Sequence, residues 1–280
     1  MANGTVGELG VMTVADPVAC DSHASEVSRP DVSGGTNTSH TIIVPALSTL
    51  LDAVPADAPA SDYEEAVLAD NVLGKDTDGA RRRTLRYLRE LYLLRPDSLL
   101  FRALRDLWPL DRAARPLLAG LCALARDAVF RASSVAIISS APGDTLTAPA
   151  LAEAVGEVFP DSYSASTLAK IGRNTFSSWE QTGHLAGAER AMKLRTRATC
   201  RPANVAYALL LGHLEGLRGS ALFDTMWARV LDRPRSHLLD LATAASQHGM
   251  VELRQSGGVV DVAFRELLRP FEGNAQGRLL

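Results

Sequence analysis

Three observations predict a mainly α-helical fold. Apolar residues recur at helical spacing through most windows after Ser61, and capping residues stand just ahead of those windows. Period-two alternation is confined to two short stretches, Met192–Arg201 and Met250–Phe264. The 280 residues are 46% apolar and 22% charged, ordinary values for a soluble globular protein with one or two cores.

Residues 1–60 read as an acidic, mostly disordered head and linker. Positions 1–40 are rich in Gly, Ser, Thr, Asp and Pro without a sustained period, so they bury too little apolar surface to offset ordering entropy. Thr41–Val44 is a short β-branched run able to dock, and Pro55–Pro59 reads as a linker. Residues 61–142 read as a helical bundle. Ser61 and Glu64 form a capping box ahead of Val67, Leu68, Val72 and Leu73, and Gly74 stops that helix. Arg81–Leu94 follows, with Leu85, Leu88, Leu91 and Tyr92 on one face, and Pro96 ends it. Asp97 or Ser98 opens a helix carrying Leu100, Phe101, Leu104 and Leu107. Asp111 caps a long fourth helix predicted to run through Ala132. Short loops between four helices suit a bundle.

Residues 143–201 change character. Thr147 caps a helix with Leu151, Ala154, Val155 and Val158 inward, and Pro160–Asp161 break it. Ser164 caps a longer helix with Leu168, Ile171, Thr175 or Phe176, and Trp179 inward, ending at Gly183, where a C-cap glycine belongs. In Met192–Arg201 the apolar set Met192, Leu194, Thr196, Ala198 and Cys200 is predicted to face the core, with Lys193, Arg195, Arg197 and Arg201 outward. Helix, break, capped helix and basic β element is the order of a winged helix-turn-helix unit. Residues 202–270 repeat the theme. Helical windows at Ala203–Leu217, Ser220–Leu231 and Ser236–His248 lead into a hairpin, Met250–Gln255 and Val259–Phe264, around Gly257–Gly258. This second winged-helix-like unit suits packing or protein contact, since its third helix shows His237, Asp240, Thr243, Gln247 and His248. Glu266–Arg269 and the tail 271–280 are expected to fray.

Several function classes are excluded by what the chain lacks. The apolar stretch Pro116–Ala141 is interrupted by Arg126, Asp127 and Arg131, which argues for a buried helix over a membrane span. The N-terminus has neither the basic start nor the apolar run of a signal peptide, and three scattered cysteines suit a reducing cytoplasm. No phosphate loop, nucleophile elbow or metal-ligand spacing occurs, so the reading is a non-enzymatic protein with no cofactor and no metal.

The net charge of −3 conceals a division. Residues 1–60 hold seven acids and one base, −6; of the 32 acids and 29 bases in all, 25 and 28 remain for the rest, +3. Those bases concentrate in two places. Over Arg190–Arg201 there are five bases (Arg190, Lys193, Arg195, Arg197 and Arg201) and no acid. The exposed side of the Ser164-capped helix carries Ser166, Thr167, Lys170, Arg173, Asn174, Ser177 and Ser178, again without an acid. Lys and Arg neutralise phosphates, and Arg and Asn also read base edges. Duplex DNA is therefore the expected partner, with Lys170, Arg173, Asn174 and Ser177 in the groove and the basic strand on the backbone. Arg81, Arg82, Arg83 and Arg86 form a second basic face, either a solvated helix surface or a secondary phosphate contact.

The same residues carry a resemblance. Asn71-Val-Leu-Gly-Lys75 followed by Thr84-Leu85, and Ser164-Ala-Ser-Thr167, Lys170-Ile171 and Trp179-Glu-Gln-Thr-Gly183-His-Leu185, resemble the BrxA family of bacteriophage exclusion (BREX) defence systems. The resemblance spans Tyr63 to Arg201 and leaves out the head and the last unit. It implies a small, mainly helical protein that binds DNA without catalysis beside other defence-system proteins, methyltransferase and ATPase among them. Two alternatives stand beside it: a protein-interaction scaffold of a defence complex, and a winged-helix transcription regulator, for which a dimer and a palindromic site would be expected.

Overall fold

A computed structural model describes residues 26–27, 34–187 and 191–270. The expectations for residues 1–25, 28–33 and the tail 271–280 lie outside these. The chain is mainly helical with two small antiparallel sheets.

Six helices make the first layer. α1 is Val44–Ala53, α2 Ala60–Leu68, α3 Asp78–Tyr92, α4 Leu99–Leu107, α5 Arg115–Arg126 and α6 Ala128–Ser139. The Thr77 hydroxyl caps α3 by accepting from the Ala80 amide at 3.2 Å. Ser98 caps α4 in the same way. The Glu26 carboxylate adds to that cap, accepting from the Leu99 and Leu100 amides at 3.0 and 2.8 Å, where a negative charge is favoured.

Three expectations change here. First, the head is not unstructured throughout: α1 buries Leu47, Leu50 and Leu51 in the core, and Ile42 is buried ahead of it. Its apolar residues recur at helical spacing, and Pro45 in the first turn suits a helix start. Second, Ser61 does not cap α2; the cap position falls on Pro59 and the Ser61 hydroxyl bonds Asp62. Third, the long helix from Asp111 is two helices. Asp111 caps a short 3-10 turn at Arg112–Ala114, and the chain breaks again at Asp127, which is extended at φ −116° and ψ 103°. The Asp127 carboxylate accepts from the Phe130 amide at 2.8 Å and so starts α6. A helix interior cannot hold a side chain that caps the next helix.

β1 Thr145–Thr147, α7 Ala148–Val158, α8 Ala165–Gln181, β2 Leu185–Ala186 and β3 Met192–Arg195 follow. The strands form one antiparallel sheet in the order β1-β3-β2. Thr147 caps α7 and Ser164 caps α8, as their sequence positions predict. β1 and β2 have three and two residues, too few to display a period. A local apolar cluster of Ala128, Val129, Ala132, Val155, Phe159 and Ile171 ties α6, α7 and α8 together.

The remainder comprises α9 Pro202–Leu214, a 3-10 turn at Gly219–Asp224, α10 Met226–Val230, α11 Arg235–Gln247 and the hairpin β4 Glu252–Ser256 and β5 Val259–Ala263. α9 is apolar on every side and buried along its length. The helix predicted over Ser220–Leu231 splits at Thr225, whose hydroxyl accepts from the Ala228 amide and starts α10. The hairpin closes between Ser256 and Val259 through Gly257 and Gly258 at φ 56° and 82°, the left-handed pair that a two-residue turn requires. Glu266–Arg269 does not fray: Leu267 is buried and Arg269 forks Asp106 of α4 at 2.7 and 2.8 Å. One apolar core runs from Ile42 to Leu267, across the predicted boundaries at 142 and 201. Among the described residues, no helix is long and apolar enough to cross a membrane.

Candidate nucleic-acid interface

α8 holds the centre of the basic site. Its inner side is fixed by Ile171, Thr175, Phe176 and Trp179, all buried. The Trp179 indole donates to the Ser133 hydroxyl at 2.8 Å, which sets the rotation of α8 against α6. That rotation leaves Ser166, Lys170 and Arg173 exposed. Among the described residues, neither Lys170 nor Arg173 is in an ion pair, and no acid is exposed between Ala165 and Trp179.

Other predicted site residues are committed within the chain. Asn174 is half-buried and its amide donates to the Asn37 carbonyl at 3.0 Å. Ser178 is buried; its hydroxyl donates to Asn37 Oδ1 at 2.7 Å and accepts from the Ile42 amide at 3.1 Å. Ser177 is half-buried. Arg190 lies outside the described residues.

Over Met192–Arg195, where the strand ends, the faces are turned the opposite way from the prediction, whereas beyond it Ala198 and Cys200 are buried and Arg197 and Arg201 exposed as predicted. Lys193 and Arg195 are buried at 9% and 3% exposure, while Met192 and Leu194 are exposed at 47% and 53%. Lys193 pairs with Glu180 of α8 and sits 5.3 Å over the Phe176 ring. Arg195 donates through Nε to the Ile137 carbonyl at 3.2 Å and pairs with Asp232 at 3.3 Å. Burial pulls the Arg195 guanidinium below its ordinary value, and Asp232 opposes that shift. Period two separates two faces but does not say which is inward. Here the Glu180 carboxylate on α8, the Ile137 carbonyl on α6 and the Asp232 carboxylate decide it, because a buried charge must be paired. Lys193 and Arg195 are therefore structural and not available to a backbone phosphate. Arg197 and Arg201 remain exposed, each beside one acid: Asp232 at 3.8 Å and Asp111 at 3.4 Å.

The second basic face is largely paired. Arg81 donates to the Leu68 carbonyl at 2.7 Å and closes the end of α2. Arg82 pairs with Asp78 at 2.7 Å and Arg86 with Glu90 at 3.6 Å, both one helical turn apart. Arg83 is exposed.

Sequence reasoning missed Asn37, which joins this face to the bundle. Its backbone amide and side-chain amide both donate to Asp127 Oδ2, at 2.8 and 3.1 Å. With Asn174 and Ser178 on its other side, one asparagine ties α8 to the break between α5 and α6. Burial raises the Asp127 carboxyl, and the Asn37 and Phe130 bonds pull it back. An isolated Asn in a polar head has no periodic signal, so only the fold exposes its role.

The buried His184 and the two described cysteines are packing elements. His184 is held between the Thr182 hydroxyl at 2.7 Å and the Val230 carbonyl at 2.8 Å, and burial pushes it down to about 3. Burial also pushes the Cys122 thiol up to about 12 and that of Cys200 to about 11. Among the described residues, no group of His, Cys, Asp or Glu is placed to hold a metal ion. Comparison with protein-family models, with curated proteins and with solved structures finds no match to this chain.

Proposed function

We propose that residues 128–195 are a winged helix-turn-helix unit and that the exposed side of α8 binds duplex DNA. The reading is supported by the element order helix, strand, helix, helix, strand, strand with sheet order β1-β3-β2. The observation that carries it is the exposed stretch of α8 from Ser166 to Ser177, which holds no acid, with Lys170 and Arg173 outside any ion pair among the described residues; Glu180, near the end of α8, is paired with Lys193. Ser166 and the two cations would meet the groove and its phosphates, with Arg197 and Arg201 at the margin. Buried Lys193 and Arg195 are removed from the interface. The protein would act as a non-enzymatic DNA-binding component. The resemblance to BrxA proteins extends this to a phage-exclusion assembly with other protein subunits.

Fluorescence anisotropy on a labelled duplex over a salt series tests the reading. Lys170→Glu with Arg173→Glu should weaken binding at least about tenfold. The slope of log affinity against log salt should flatten by about two, since each neutralised phosphate contributes about −0.9. Unchanged affinity in a folded double mutant removes the assignment. Arg195→Glu is no test of this surface, because it breaks a buried pair.

A further inference from the structure

Beside the α8 cations lies a surface of a different chemistry. An open groove of about 1010 Å³ runs between α7 and α8 and is closed at one end by Met192 of β3. Its floor is apolar, made by Ala152 and Gly156 of α7 and by Leu168 and Ala169 of α8. Leu194 continues the apolar surface two residues along the same strand face. This surface exists because β3 turns its cations inward and its apolar residues outward.

Two charges stand on the α7 wall. Glu153 and Glu157 are exposed, one helical turn apart, and line the groove. Like charges at that spacing repel on a helix. Among the described residues, neither carboxylate is in an ion pair or hydrogen bond. Gly156 lies between them on the floor. A Cβ there would meet Leu168 at 3.6 and 3.9 Å, ordinary contact, so packing within the chain does not require glycine. A glycine inside a helix weakens it; here it keeps the floor open.

We propose that this groove docks an amphipathic helix of a partner protein, with an apolar stripe on the floor and Lys or Arg residues against Glu153 and Glu157. The groove is a poor place for DNA, because the two carboxylates repel phosphates and the floor offers no donor. An apolar centre with a charged rim is the anatomy of a helix-in-groove contact. The uncompensated charge of the rim specifies a basic flank on the incoming helix. Arg173 lines the opposite side and marks where the docking groove gives way to the cationic side of α8.

The test uses the full chain and two fluorescein-labelled helical peptides with Leu at every third and fourth position. One carries Lys on its flanks and the other Glu. The Lys peptide should bind at least about tenfold more tightly than the Glu peptide, equivalent to about 1.4 kcal/mol. Glu153→Lys with Glu157→Lys should invert that preference, and these exposed positions leave folding intact. Gly156→Leu, which fills the floor, should remove binding of both peptides without moving duplex affinity. Absence of binding by either peptide, equal binding of both, or a preference that charge reversal leaves in place would overturn the proposal. So would a dimer in sedimentation that Gly156→Leu dissolves, since a second copy would then occupy the groove.

Discussion

The α6–β3 region and the C-terminal region α9–β5 present nearly the same order of elements and opposite surface chemistry. In the first, the long helix α8 exposes Ser166, Lys170 and Arg173, and the strand behind it buries Lys193 and Arg195. In the second, α11 exposes His237, Asp240, Thr243 and Gln247, with His248 exposed just past its end, and the hairpin leaves Arg254 exposed opposite Asp261. Element order therefore does not carry function between the two; the residues on each exposed face do. The difference also shows that a basic strand is not by itself a basic surface.

The largest expected effect separates buried from exposed arginine. Arg195→Gln leaves Asp232 without its buried partner and frees the Ile137 carbonyl, a loss of about 3–5 kcal/mol in denaturant unfolding. Arg254→Gln in the C-terminal hairpin should stay within about 0.5 kcal/mol. Equal losses at the two sites would show that the inward orientation of β3 is wrong.

Next is the Asn37 junction, which the C-terminal region lacks. Asn37→Ala removes the side-chain bonds to Asp127 and Ser178 and leaves a buried carboxylate short of donors. A loss of about 1–3 kcal/mol follows from an unsatisfied buried polar group. Because Asn37 holds α8 against the bundle, duplex affinity should fall with it, whereas Thr243→Ala on α11 should change neither. Full stability in Asn37→Ala would detach α8 from the head segment.

Much of this fold is legible in the sequence, and the failures share a cause. Ser98, Thr147 and Ser164 mark helix starts because capping is a local interaction. The Gly257–Gly258 turn is local too. Asp127 looks like one charge inside an apolar helix, and only its partners Asn37 and Phe130, one of them 90 residues away, turn it into a break. Lys193 and Arg195 look outward until Glu180 and Asp232 are brought to them. Of the candidate site, Lys170 and Arg173 were readable from helix periodicity alone; the fate of Asn174, Lys193 and Arg195 depended on long-range partners.

Each region also holds a histidine shielded from water, fully at His184 and in part at His213. His184 is pushed down to about 3 and His213, in α9, to about 4, both chiefly by burial. An unfolded histidine binds its proton near pH 6.5, so between that pH and about 3 the unfolded chain holds more protons than the folded one. Stability should therefore fall as pH falls through this window, by up to about 1.4 kcal/mol per pH unit for His184. His213 should contribute less, being only partly buried. The Asp127 carboxyl, raised by burial, works in the opposite direction. Urea unfolding of His184→Gln between pH 6.5 and 5 should show a shallower decline than the parent; parallel curves would mean that His184 is not held neutral.

The smallest effect is the sharpest control on the comparison. Arg254→Glu sets a like charge opposite Asp261 in the β4–β5 register, which should cost about 0.2–1 kcal/mol. The same charge change at Lys170 leaves stability unmoved but should weaken duplex binding, because Lys170 is exposed on α8 and outside any ion pair among the described residues. If Arg254→Glu weakened binding as strongly as Lys170→Glu, attraction between DNA and the chain would be a matter of total charge. Loss at Lys170 alone, measured at one salt concentration, ties binding to the side of α8 that its caps and buried tryptophan orient.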